Sequence, residues 1–384
     1  MAQVALSVVL LTGSGLLIRS FVELRSVDLG FETENLITAS VSINVAKYED
    51  PKSRTRFFQG VMEDVQAMPG VEAASFTNKI PIRHRWTDWL TWDVDNPPSA
   101  EEDRIFTYSR TVMPGYFEAL GLSVLKGRDH SLDDGPREEP FLVLSQSAAD
   151  ALFPGQDPLG RTVGVFNGLR DGHYEVLGVV PDFRVTSVDR DPLPQMYFSH
   201  TTFPNTGMNL VARAHGDPAA LVSAIRQAVL DRDPDVPLEN VSTMEAIVAN
   251  SISGSWTLSL ATALFAVTAL ILSLTGLYAV LAFYVGRRTR EIGLRVALGA
   301  TGGRVSGMVL KRGLMLVGAG LVLGVLGAGV AARVLQSQLY QVGTLDPLTF
   351  ASVAVGFVVA GVSASLLPAR RAIRVDPVRA IQVE

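Results

Sequence analysis

Four runs without a charged residue restrict this chain more than any other feature. Each is close to or above the roughly 20 residues that a helix needs to cross a ~30 Å hydrocarbon layer. They are 1–18, the apolar centre 256–285 of a longer charge-free stretch, 313–332 between Arg312 and Arg333, and 347–369 between Asp346 and Arg370. A buried helix of a water-soluble protein seldom stays charge-free over such a length, so the runs predict membrane spans. Composition agrees, since charged residues make up 18% of the chain against a usual ~25%.

The first run has a rival reading as a signal peptide, which wants a basic start and a small-residue cleavage site. No Lys or Arg precedes Arg19, and RSFVELRSV continues the run as an amphipathic segment, which favours an uncleaved helix. Charge then orients the spans. Residues 287–312 carry seven basic residues against one acid, Glu291, and the tail after Leu367 carries Arg370, Arg371, Arg374 and Arg379 against Asp376 and Glu384. The positive-inside rule puts both segments in the cytoplasm and the loop holding Arg333 and Asp346 outside. Residues 19–255 are then external, with 21 basic and 34 acidic residues. Arg19 and Arg25 run against this asymmetry, on the outer side of the first helix.

The external region reads as mixed α/β. Leu36–Asn44 is strand-like, and Pro51 opens a helix with Phe57, Phe58, Val61, Met62, Val65 and Met68 on one face before Pro69-Gly70. Val71–Thr77, Tyr174–Val180, Leu210–Ala214 and Leu238–Ser242 are further strands, and Pro218–Leu230 a second helix. Two strand–helix–strand units therefore flank an insertion of about 90 residues, Ile80 to Arg170. The expected fold is an α-helical membrane protein with four transmembrane helices. Its large extracytoplasmic α/β domain is made of a split βαβ lobe and an inserted second lobe.

Little here points to catalysis. None of the five lysines sits in a G-x-x-x-x-G-K-[ST] loop, and no H-E-x-x-H helix or G-x-S-x-G elbow occurs. The histidines are scattered, no cysteine exists, and the acidic pairs Glu101-Glu102 and Asp133-Asp134 lie in turn-like stretches. No catalytic residue, metal ligand or bound cofactor is expected, and the net charge of −5 gives no field for nucleic acid.

One cytoplasmic segment stands out. In GRRTREIGLRVALGATGGRVSGMVL (286–310), Ile292, Val296 and Leu298 give a short amphipathic helix broken at Gly299, Gly302 and Gly303. Basic charge alone suits contact with anionic lipid. An embedded acid and an apolar face suit docking on a protein. The third span carries a G-x-x-x-G pair, Gly320 and Gly324, fitted for close helix packing. It serves either self-association or packing on the chain's own second or fourth helix.

RTREIGLRVALGATGGRV, followed by LLPARRAIRVDPVRAIQVE, resembles the MacB/FtsX-like permease family of ABC transporters. PGYFEALGLSVLKGRD (114–129), FPGQDPLGRTV (153–163) and the 218–244 stretch add to the likeness, which covers essentially the whole chain. The opening AQVALSVVLLTGSGLLIRSF looks most like one half of a duplicated orphan permease, from which this chain departs by having a single module.

The resemblance implies a multi-pass protein of the bacterial inner (plasma) membrane. Its parts would be transmembrane helix 1 over 1–18, an extracytoplasmic domain over 19–255 with an insertion at about 80–170, and helix 2 over 256–285. A cytoplasmic coupling segment over 286–312, helix 3 over 313–332, an outer loop over 333–346, helix 4 over 347–369 and a cytoplasmic tail over 370–384 would follow. ATP would be bound by a partner ABC ATPase docking on Arg290, Glu291, Ile292, Arg295, Leu298, Gly299 and Ala300. Further implied partners are a second copy or second permease module, a periplasmic adaptor and membrane lipid. The implied function is a permease subunit coupling ATP hydrolysis to export or extrusion. The alternatives are a mechanotransmitter regulating an extracytoplasmic enzyme, and a non-functional fragment of a longer duplicated permease.

Overall fold

A computed structural model describes residues 1–83, 88–134, 139–168, 171–298, 301–336 and 339–373. The chain divides into two compact units, a helical one (Met1–Ser26 with Ile252–Glu384) and an external one (Val27–Ser251).

Among the described residues four helices are long and apolar enough to cross a membrane. They are α1 (Ala2–Arg25), α6 (Met244–Arg287), α8 (Gly302–Val334) and α9 (Pro347–Ile373), with the short α7 (Thr289–Ala297) between α6 and α8. All four overrun the charge-free runs at one or both ends. A charge limits the apolar window and not the helix, whose end turns reach headgroups or water: α1 continues through Arg19 and Glu23, and α8 begins a turn before Val305 and passes Lys311 and Arg312. Arg19 pairs with Asp346 at 2.5 Å. That aspartate also caps α9, accepting from Thr349 N at 2.9 Å and Thr349 Oγ1 at 2.6 Å. Of the two arginines that run against the charge asymmetry, Arg19 is thus neutralised locally.

In the external unit, β1 (Leu36–Ser42), α2 (Pro51–Gln66) and β2 (Val71–Thr77) form one strand–helix–strand unit, and β10 (Gly207–Ala214), α5 (Val222–Arg232) and β11 (Leu238–Thr243) another. Their strands interleave in the order β11-β1-β10-β2, every neighbour antiparallel. This is a split β-α-β arrangement with both helices on one face. Phe57, Phe58, Val61 and Val65 of α2 and Ile225 and Val229 of α5 fill its core against Val41, Phe76 and Leu210.

The second lobe holds β3 (Asp88–Asp93), β4 (Ile105–Val112), β6 (Phe141–Ser145), β7 (Thr162–Phe166), β8 (Asp171–Val180) and β9 (Gln195–Ser199), together with the short elements α3 (Tyr116–Ala119), β5 (Lys126–Gly127) and α4 (Gln146–Leu152). The six main strands run β4-β3-β7-β8-β6-β9, and β9 pairs back onto β4, closing a ring. Closure removes the exposed strand edges that an inserted sheet would otherwise carry. Leu142, Leu144, Val163, Val176, Met196 and Phe198 form its core with Leu152 and Phe153.

The insertion therefore runs from 78 to 206 and not from 80 to 170. Tyr174–Val180 belongs to the ring, as part of β8 between β6 and β7. An apolar strand announces that it is buried but not which sheet buries it. The 114–129 motif is a local fastening within this unit. Gly115 donates its N–H to Asp129 Oδ2 at 3.2 Å. Gly127 (φ 69°) brings the backbone against Leu177 O, where no Cβ fits.

Candidate functional site

Segment 286–312 begins where α6 ends at Arg287. Thr289 Oγ1 donates back to Gly286 O at 2.8 Å and Val285 O at 3.1 Å, closing the end of α6 as α7 begins. α7 is attached by one side chain above all: Ile292, 2% exposed, enters the apolar cluster of Leu281, Val285, Val305 and Val309. Glu291 sits beside it, paired with Arg295 at 2.7 Å and Arg288 at 3.5 Å. These are the i+4 and i−3 neighbours on a helix surface, within reach of one carboxylate. Arg295 also lies 3.8 Å from Met308 Sδ of α8.

Opposite Ile292, positions 290, 294 and 298 recur at four-residue spacing and form one stripe. Arg290 is exposed, as are Leu294 and Leu298, the latter by 86%. α7 therefore has two apolar sides, one sunk in the helical unit and one left open.

The residues singled out from sequence separate accordingly. Ile292 is an anchor, buried in the chain's own core and closed to any partner. Its spacing marked an apolar face but not which neighbour takes it. Glu291 and Arg295 form a clamp along the helix side, so the Glu291 carboxylate is already engaged within the chain. Arg290 and Leu298 lie on the open stripe, and Gly299 and Ala300 fall outside the described residues. Leu294 was missed, although its place midway between Arg290 and Leu298 is a readable signal.

Gly320 and Gly324 face α1. A Cβ at Gly320 would lie 2.5 Å from Val4 Cγ1, and one at Gly324 would lie 2.6 Å from Val8 Cβ and 3.0 Å from Ala5 O. Within the chain the pair thus packs on the first helix, and not on α6 or α9. Small residues specify how closely backbones approach and not which helix approaches.

The family description "MacB-like periplasmic core domain" matches residues 1–228, and "FtsX-like permease C-terminal" matches residues 263–377. The chain is similar to the macrolide export ATP-binding/permease protein MacB of Marinobacter nauticus, at 27% identity over 275 residues, 68% of this chain and 41% of that protein. It is also similar to the ABC transporter permease YknZ of Bacillus subtilis, at 27% identity over 284 residues, 70% of this chain and 68% of that one. The periplasmic region of MacB from Actinobacillus actinomycetemcomitans aligns at 16% identity with a TM-score of 0.36, over 57% of this chain and 92% of that structure. The chain spans about two fifths of the length of the MacB relatives it matches.

Proposed function

The chain belongs to the FtsX-like permease family with a MacB-like periplasmic core domain, and from that premise we propose that it is the membrane subunit of an ABC-type transporter. In this reading a separate ATPase binds and hydrolyses ATP, and this chain converts that cycle into movement of its external unit to export or extrude a substrate. The protein lies in the bacterial inner membrane with 286–312 and the C-terminal segment in the cytoplasm, as the excess of Arg and Lys there favours. A second copy or a second permease module completes the membrane part, and a periplasmic adaptor extends it outward. Because α1 covers Gly320 and Gly324, the second module meets other helix faces.

The observation that carries this reading is the open stripe of α7. Leu294 and Leu298 lie beyond the spanning windows, and exposed leucines beside a charge make a surface suited to a protein groove. The Ile292 anchor and the Glu291 clamp hold that stripe in one orientation, so displacement of a docked ATPase is delivered to α6 and α8. Lipid contact by charge alone needs neither leucine.

The double substitution L294D/L298D puts two carboxylates into the docking surface and leaves the Ile292 anchor untouched. Membrane expression should stay normal, while co-purification of the cognate ATPase and ATP-dependent activity are lost, at a cost of several kcal/mol for desolvating unpaired charge. E291K breaks the clamp and should weaken recruitment less. Normal recruitment by L294D/L298D would refute the docking role.

A further inference from the structure

The face of α2 turned away from its core carries Lys52 and Arg56 at i, i+4 spacing, with Thr55 and Gln59 forming a parallel row. It forms one wall of a cleft of about 490 Å³ inside the external unit. The opposite side is apolar at Leu132, Pro140 and Phe141, and His130, Ser199 of β9 and Thr201, Thr202 and Pro204 just beyond it also line the cleft. A volume of this order is that of a small-ligand site.

Charge inside the cleft reverses that of its surroundings. The external region is acidic, with 21 basic and 34 acidic residues over 19–255. Yet Lys52 and Arg56 make no ion pair among the described residues. The one acid lining the cleft among the described residues, Asp134, is committed elsewhere: it pairs with Arg128 and accepts from Ser131 N at 2.7 Å. Neighbouring arginines are spent differently, Arg54 on the carbonyls of Tyr48, Glu49 and Pro204 and Arg232 on Asp64. Two free cations on one wall, hydroxyl groups beside them and an apolar wall opposite define a complementary ligand.

We infer that this cleft binds a carboxylate carried on a short apolar body, the carboxylate held by Lys52 and Arg56 and the body lying on Leu132 and Phe141. A peptide C terminus and a small aryl- or alkyl-carboxylic acid share that chemistry. The cations give selectivity for the anion over its neutral amide, because the amide leaves both side chains without a counter-charge. The apolar wall excludes small inorganic anions as equal competitors.

Saturation-transfer NMR on the full chain in lipid nanodiscs tests the assignment with two probe arms. One arm uses 3-phenylpropionate against 3-phenylpropanamide. The other uses a pool of acetylated tripeptides with free C termini against the same pool amidated. Acid should be preferred over amide in at least one arm, and the arm that responds identifies the source. K52E/R56E should weaken that binding about tenfold, the effect of replacing two partly screened attractions by repulsions, while K52R/R56K retains it. Both side chains are exposed, so the variants keep the fold; should K52E/R56E melt early, K52Q/R56Q is read instead, with about a threefold loss. Absence of acid preference in both arms, or unchanged binding by the charge variants, overturns the site. No ATPase is present in the measurement, so its failure leaves the coupling reading standing.

Discussion

Phe58 of the external unit and Phe265 of the helical unit are the same side chain in opposite positions: Phe58 is 0% exposed and Phe265 is 68% exposed. The contrast extends through both units. The external unit buries its bulk, with Phe58, Phe76, Phe117, Tyr197 and Phe198 inside, and turns most of its charges outward, Arg110, Arg213 and Asp233 being buried exceptions. The helical unit turns Leu264, Phe265, Leu326 and Val330 outward and keeps Ser7, Thr12, Ser14, Gly320 and Gly324 inside. Each unit is folded against its own solvent. In water the large apolar groups are driven inward. In lipid nothing drives them in, and close approach of small residues supplies the attraction.

The largest expected effect follows directly. Phe58→Ala empties a site between Phe57, Phe76 and His200 and should destabilise the external unit by about 3–5 kcal/mol. Phe265→Ala, the same deletion on the outward face of α6, should change stability by less than about 0.5 kcal/mol. Hydrogen exchange of peptides from each unit reads the two changes separately. Equal costs would break the comparison.

The reverse substitution sharpens it from the other side. Gly324→Leu forces a side chain into Val8 and the Ala5 carbonyl and should cost about 3 kcal/mol. Gly318→Leu, on the same helix with nothing within 4 Å of the added Cβ, should be near neutral. Thermal denaturation of the full chain in lipid distinguishes them. A mild Gly324→Leu would mean that α1 does not rest on α8 as described.

These contrasts also explain what was legible in the sequence. Apolar runs such as 313–332 and 347–369 show as helices because no competing structure buries a charge-free stretch that long. The two strand–helix–strand units of the first lobe show through their periodicity. Pairings between distant segments do not. Tyr174–Val180 reads equally well as a strand of either lobe, and the return of β9 onto β4 leaves no mark on either strand. At the candidate site, the spacing revealed an amphipathic α7. Ile292 and Leu294 are both apolar, however, and only the packing with Val305 and Val309 decides that the first is an anchor and the second is left open. Gly320 and Gly324 announce close approach without naming α1.

The smallest predicted effect depends on pH and belongs to the external unit alone. Burial lowers His130 and His200 to about 4 and raises Asp129 to about 6. Each histidine stays neutral in the fold while its unfolded counterpart takes up a proton below about 6.5, so each contributes stability that is lost as pH falls from there towards 4. Asp129 works the other way. Its folded form holds a proton up to about pH 6 while the unfolded form releases it near 4, so it adds stability as pH falls across that interval. Lys79, lowered to about 8 by burial and Arg110, is protonated in both states below pH 7 and drops out. The lowered Asp64, Asp134 and Asp233 matter only below their usual value of 3.8. Two histidines against one aspartate leave a net loss of about 1–2 kcal/mol between pH 7 and pH 5.5. Hydrogen exchange of the external unit at the two pH values reads it, with the helical unit as internal reference. His200→Gln should flatten the dependence, and Asp129→Asn should steepen it by removing the opposing contribution. A steeper fall after His200→Gln, or none to begin with, would show that the buried imidazoles do not control the acid response.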